Sequence, residues 1–190
     1  MRSDTIRYYH NVTRSSTTRG IPATPATAAG AAAQVRERFL AEGSPYGCAE
    51  TALLVLQAQF GLEDPTDGAA AMALNGGVAY SGGTCGAITG AAMALGLLAE
   101  RRIPDRGRAK RAARELAAGM ISDFEATFGA TDCRTLTGAD LRAPRGHDAF
   151  MAAGTWRVDC LRRLELVVER LAQLADPATF DAAAEGTGRR

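Results

Sequence analysis

Histidine is nearly missing from this chain: His10 and His147 are the only two among 190 residues. His10 falls in a polar N-terminal stretch and His147 between proline and glycine, which argues against a histidine-rich zinc site and against Ser-His or Cys-His catalysis. No Cys-x-x-Cys-His run is present, so the sequence has no haem c motif. An excess of charge of either sign is lacking too. Lys plus Arg number 22 against 21 Asp plus Glu, which leaves no field to draw the whole molecule onto nucleic acid or an anionic membrane. The richest basic run, Arg101 to Arg114, carries no interleaved aromatics and reads as the solvated face and start of a helix. No window approaches the ~18 consecutive apolar residues of a membrane span. The N-terminus is positively charged but lacks the apolar core of a secretion signal. These absences predict a cytoplasmic protein with no nucleic-acid and no membrane partner.

Strand-type alternation of Val, Ile and Thr is scarce as well. In its place stand long runs of Ala, Leu, Arg and Glu at helical spacing, so the expected fold is all-α: a single compact multi-helix domain. Residues 1–31 are polar and without period and predict a disordered N-terminal arm, residues 32–176 the four-cysteine helical domain, and residues 177–190 a flexible C-terminal tail.

Helices are expected from Ala32 to Ala41, from Ser44-Pro45 to Gly61, and from Asp64-Pro65-Thr66-Asp67 to about Asn75-Gly76. Further helices are expected from Cys85 to Glu100, from Arg106 to Phe128, across Cys133 to Leu136, and from Trp156 to Ala175. Gly138 to Gly154 reads as a loop. On the last helix Cys160, Leu164, Val167, Leu171 and Leu174 recur at steps of four and three, which puts Cys160 on the stripe facing the core.

What the chain does have is four cysteines, Cys48, Cys85, Cys133 and Cys160, with no Cys-x-x-Cys pair. In a reducing compartment, and at such wide spacing, they read as inert, metal-binding or redox-catalytic thiols and not as structural disulfides. Three of them fall at expected helix starts, where free N–H groups and the helix dipole favour a thiolate. Around Cys85 the glycines Gly77, Gly82, Gly83, Gly86 and Gly90 clear a surface for close approach, either of another helix or of a cofactor. A phosphate does not fit, because neither a P-loop nor a dinucleotide-binding glycine pattern is present.

Four segments, taken in order, carry a resemblance. They are Tyr46-Gly47-Cys48-Ala49-Glu50-Thr51, then Gly82-Gly83-Thr84-Cys85-Gly86-Ala87-Ile88-Thr89-Gly90-Ala91, then Thr131-Asp132-Cys133-Arg134 after Phe128-Gly129, and a late Cys160. Over about residues 33–175 the chain resembles the redox-active C_GCAxxG_C_C family, whose CGAxxG motif matches Cys85 to Gly90. The resemblance implies that Cys48, Cys85, Cys133 and Cys160 are the functional set and that its role is redox. A similar domain in split-Soret cytochromes is associated with an iron–sulfur centre beside the haems, of which the haem part does not carry over here. The chain departs from the family in its long N-terminal arm and in the loop between Cys133 and Cys160.

The leading expectation is an iron–sulfur cluster bound by all four cysteines, serving electron transfer with a redox partner that the sequence does not name. Zinc would accept the same ligands, although its structural sites usually draw on close Cys-x2-4-Cys pairs. Two alternatives stay open: a thiol–disulfide protein or sensor in which Cys85 attacks and Cys48 or Cys133 resolves, and a non-catalytic helical interaction module. The Leu/Val stripe could also pair two chains into a homodimer.

Overall fold

The computed structural model describes residues 28–43, 45–62 and 68–186. The fold is all-α, and among the described residues the only strand-like pairing is an isolated bridge between Thr84 and Asp132. Eight α-helices follow in order among the described residues: α1 Ala28–Phe39, α2 Cys48–Gln59, α3 Gly86–Arg102, α4 Arg106–Phe128, α5 Cys133–Thr137, α6 Gly146–Ala153, α7 Trp156–Ala172 and α8 Pro177–Gly186. Two 3-10 turns, Ala69–Leu74 and Gln173–Ala175, complete the set.

Helix α2 is the centre of the molecule because it is apolar on all sides. Ala49 to Gln57 are all buried, and α1, α3 and α7 pack around them. Helix α3 lies closest. A Cβ at Gly90 would enter the Ala49 carbonyl, so only glycine lets the two backbones meet there. Helix α4 covers the other side of α3, burying Ala109, Ala112, Met120 and Phe124. Its ends coincide with the expected ones. The Asp105 carboxylate accepts from the Arg108 N–H at 2.7 Å, and Gly129, at φ 78°, ends the helix in the left-handed region.

Helix α7 buries Leu164, Val167 and Leu171, with Leu174 on the turn after it, as the stripe predicts. Trp156 stacks edge-on against Phe39 of α1 at 5.3 Å, and Arg36 pairs with Glu165 at 2.6 Å across the same two helices.

Four expectations change. The expected start at Ser44-Pro45 moves: Ser44 lies outside the described residues and α2 begins at Cys48, where Glu50 reaches back to accept from the Gly47 N–H at 2.9 Å. The expected loop from Gly138 to Gly154 contains α6, whose bounding glycines read as loop signals while acting as its ends; Gly154 closes it at φ 70°. The expected flexible tail from 177 instead carries α8, because Phe180 is fully buried and the Arg102 guanidinium lies 5.0 Å above its ring. Arg102 also donates to the carbonyls of Leu174 and Ala175 at 2.9 and 2.6 Å, so the helical domain runs on through α8. The expected arm at 1–31 lies outside the described residues up to 27, and 28–31 are the first turn of α1. The helix start expected at Asp64 to Asp67 also lies outside them.

Candidate functional site

Cys48 is the first residue of α2, Cys85 immediately precedes α3, and Cys133 is the first residue of α5, as the sequence leads one to expect. Cys160 sits in the second turn of α7. Backbone pairing brings the middle two together. The Thr84–Asp132 bridge sets side by side the residues that precede Cys85 and Cys133. The Cys85 N–H donates to the Thr131 carbonyl at 2.8 Å, and the Cys133 N–H to the Gly83 carbonyl at 2.7 Å.

The chain reaches this bridge through a left-handed turn. Gly76, Gly77, Val78, Ala79 and Tyr80 have φ of 63°, 76°, 64°, 50° and 60°. In that region a non-glycine residue costs roughly 1–2 kcal/mol. The turn is held from outside: Arg142 donates to the Ala79 carbonyl at 3.2 Å, and the Tyr80 ring packs on His147 at 4.8 Å. Such over-determined strain is typical of functional loops.

Cys48 joins the pair through the contact between α2 and α3. A Cβ at Gly86 would collide with the Cys48 sulfur, so this glycine is what admits the thiol. Backbone hydrogen bonding from Gly76, Ala49, Cys48 and Gly86 lowers the pKa of that thiol, against a larger rise from burial. Cys160 is brought in by Arg163, one turn further along α7. Arg163 donates to the Leu136 carbonyl of α5 at 2.7 Å, and its other terminal nitrogen lies 3.9 Å from the Cys160 sulfur.

The four side chains share one electrostatic neighbourhood. Burial pushes the Cys85 thiol far up, and Cys48, Cys133 and Cys160 all act on it through their charge. Burial, with repulsion from Cys48, pushes Cys133 up to about 11 and Cys160 up to about 12, each against the pull of Arg163. Burial raises Cys48 too, over its backbone hydrogen bonds. The helix-start argument for a low-pKa thiolate at Cys85 therefore fails in the metal-free protein. Desolvation outweighs the N–H groups. Cys85 is 7 % exposed, which is poor placement for an attacking thiol, and all four cysteines are free of disulfides. Among the described residues no three Cys, His, Asp or Glu side chains are grouped tightly enough to hold a single metal ion.

Three supporting residues were not singled out by the sequence reading. The Asn75 side-chain oxygen accepts from the Ala49 N–H at 2.9 Å and lies 3.8 Å from the Cys48 sulfur, while its nitrogen donates to Glu50 at 2.7 Å. Glu50, 6 % exposed, is held between Asn75 and the Gly47 N–H. Arg163 is the third. An Asn-Gly pair reads as a turn signal and an arginine on an amphipathic helix as a solvated residue, so neither announces its role. Glu50 had one signal, an acidic residue at N3 placed to accept from the N-cap N–H, visible only once the helix start is moved to Cys48.

An all-α domain with one cysteine at the start of each of α2, α3 and α5 and a fourth in the second turn of α7 defines a cysteine-centred protein. The family model described as "Putative redox-active protein (C_GCAxxG_C_C)" matches residues 46–174, and the chain belongs to that family. No curated protein and no solved structure matches it. No helix among the described residues is long and apolar enough to cross a membrane.

Proposed function

We propose that Cys48, Cys85, Cys133 and Cys160 hold an iron–sulfur cluster and that the protein transfers electrons to and from a redox partner. The observation that carries this reading is the gathering of all four thiols, from four separate helices, into one electrostatic neighbourhood. The donor set fits. It is all sulfur, and the one histidine among the described residues, His147, packs on Tyr80 and takes no part. Zinc fits less well, because four thiolates must then lie about 2.3 Å from one point, and no grouping of that tightness exists among the described residues. A cluster spreads its thiolates over several irons. When bound, it supplies one-electron redox chemistry at a potential set by charge, hydrogen bonds and solvent exposure.

The chain's own residues do the rest. Glycines at 86 and 90 bring α2 against α3, and Cys85 and Cys133 are buried while Cys48 and Cys160 are half-buried. The N–H groups around Cys48 favour its ionised form, the form that binds metal. Anaerobic reconstitution with iron and sulfide, followed by metal analysis and a visible spectrum, tests the reading. A coloured protein with stoichiometric iron and sulfide is expected. A colourless protein that takes up no iron would sink it.

A further inference from the structure

Arg163 is a buried cation with no carboxylate. It is 9 % exposed, and the ion pairs of the described residues engage Arg36, Arg106, Arg134 and Arg170 instead. The guanidinium has only partial company. One terminal nitrogen donates to the Leu136 carbonyl, the other lies 3.9 Å from the Cys160 sulfur, and the Phe128 ring sits 5.8 Å away. Its Nε–H is buried and has no acceptor among the described residues. A buried charge is stable only when something of opposite sign meets it. Its charge acts on the sulfurs of Cys160 and Cys133, the first of them 3.9 Å away. Neutral thiols do not supply that countercharge. Ionised sulfurs do.

We infer that Arg163 is the counter-cation of the cysteine-bound centre: a positioning residue that ties α5 to α7 around it and raises its reduction potential. The inference rests on the reading that the four cysteines hold an iron–sulfur cluster. Four thiolates carry more negative charge than an iron–sulfur core carries positive, so the oxidised centre is already an anion and gains a further unit of charge on reduction. A fixed cation beside it stabilises the reduced form more than the oxidised one. In a site this dry the effect is screened little by salt. The orphaned Nε–H adds a hydrogen-bond donor for a sulfur, which acts in the same direction.

The test compares wild type, Arg163→Lys and Arg163→Gln after reconstitution, by iron content and by EPR-monitored redox titration. Equal iron is expected in wild type and the Lys variant, which titrates near wild type, and the Gln variant is read on its iron-loaded fraction. The Gln variant is expected to be harder to reduce, its reduced-to-oxidised ratio at a fixed potential falling at least tenfold, which is about 59 mV for one electron. Equal potentials in wild type and the iron-loaded Gln variant would overturn the role of Arg163 and leave the cluster reading intact. A wild-type protein without iron would overturn both. Should the Gln variant fail to fold, the wild type decides alone. With arginine labelled by 15N in the guanidinium only, pulsed EPR of the reduced protein is expected to show nitrogen coupling. Its absence would overturn the inference, and its loss in Arg163→Lys assigns the coupling to Arg163 and not to Arg134, which pairs with Asp140 at 2.9 Å.

Discussion

Cys133 and Cys160 show how far burial can carry a side chain from what its local sequence suggests. An ordinary thiol ionises near 9.0, whereas these two are pushed up to about 11 and about 12. Between those limits the folded chain keeps protons that the unfolded chain has lost, so stability falls as pH rises through that window and is undiminished below it. The metal-free protein is expected to lose stability to urea between about pH 9 and 12. Replacing both cysteines by alanine should make the fall shallower, and urea titrations at several pH values read this out. An equal slope in the two proteins would show that the thiols are not the cause. That Cys48, Cys85 and Cys133 stand at helix starts and Cys160 on the apolar side of α7 was legible in the sequence, from start signals and helical spacing. Their protonation was not legible, because desolvation comes from α2, α3, α5 and α7 packing together.

At the scale of elements, the contact between α2 and α3 decides whether Cys48 reaches the others. Gly86 and Gly90 face the Cys48 sulfur and the Ala49 backbone, neither of which can swing aside as the end of a long side chain can. Gly90→Ala is expected to cost about 1–3 kcal/mol by overpacking and to reduce iron uptake, measured by urea denaturation and metal analysis on the same preparation. Gly96→Ala is the control. It lies on α3 with open space at its Cβ position and should leave both quantities unchanged or slightly improved. The Gly86-x-x-x-Gly90 spacing could be read beforehand as close approach by either a helix or a cofactor. The structure assigns these two glycines to the helix, and through it to the thiol.

Elements with strong start and stop signals were the legible ones: α4 runs from Arg106 to Phe128 as expected, and α5 ends one residue beyond the expected Leu136. Helices α6 and α8 were not. The first is bracketed by glycines at 146 and 154 that mimic a loop, and the second is short and alanine-rich, anchored by Phe180 and the reach of Arg102.

Across the whole molecule, residues as far apart in sequence as Cys48 and Cys160 come together only when α2, α3, α5 and α7 are all in place. On the proposed reading, a centre held by all four sulfurs would bind the native chain and not the unfolded one, which would couple binding to folding. Asn75, Glu50 and Arg163 belong to this scale too, since each works by joining elements that the sequence keeps apart. Asn75 links the turn before the glycines to the start of α2, and Arg163 links α7 to α5. Local pattern could not reveal them.

The most direct measurement is iron K-edge X-ray absorption on the anaerobically reconstituted protein. The account predicts a first shell made only of sulfur together with an iron–iron distance from a shared cluster. Nitrogen or oxygen in that shell, or iron with no iron neighbour, would contradict a centre held by Cys48, Cys85, Cys133 and Cys160.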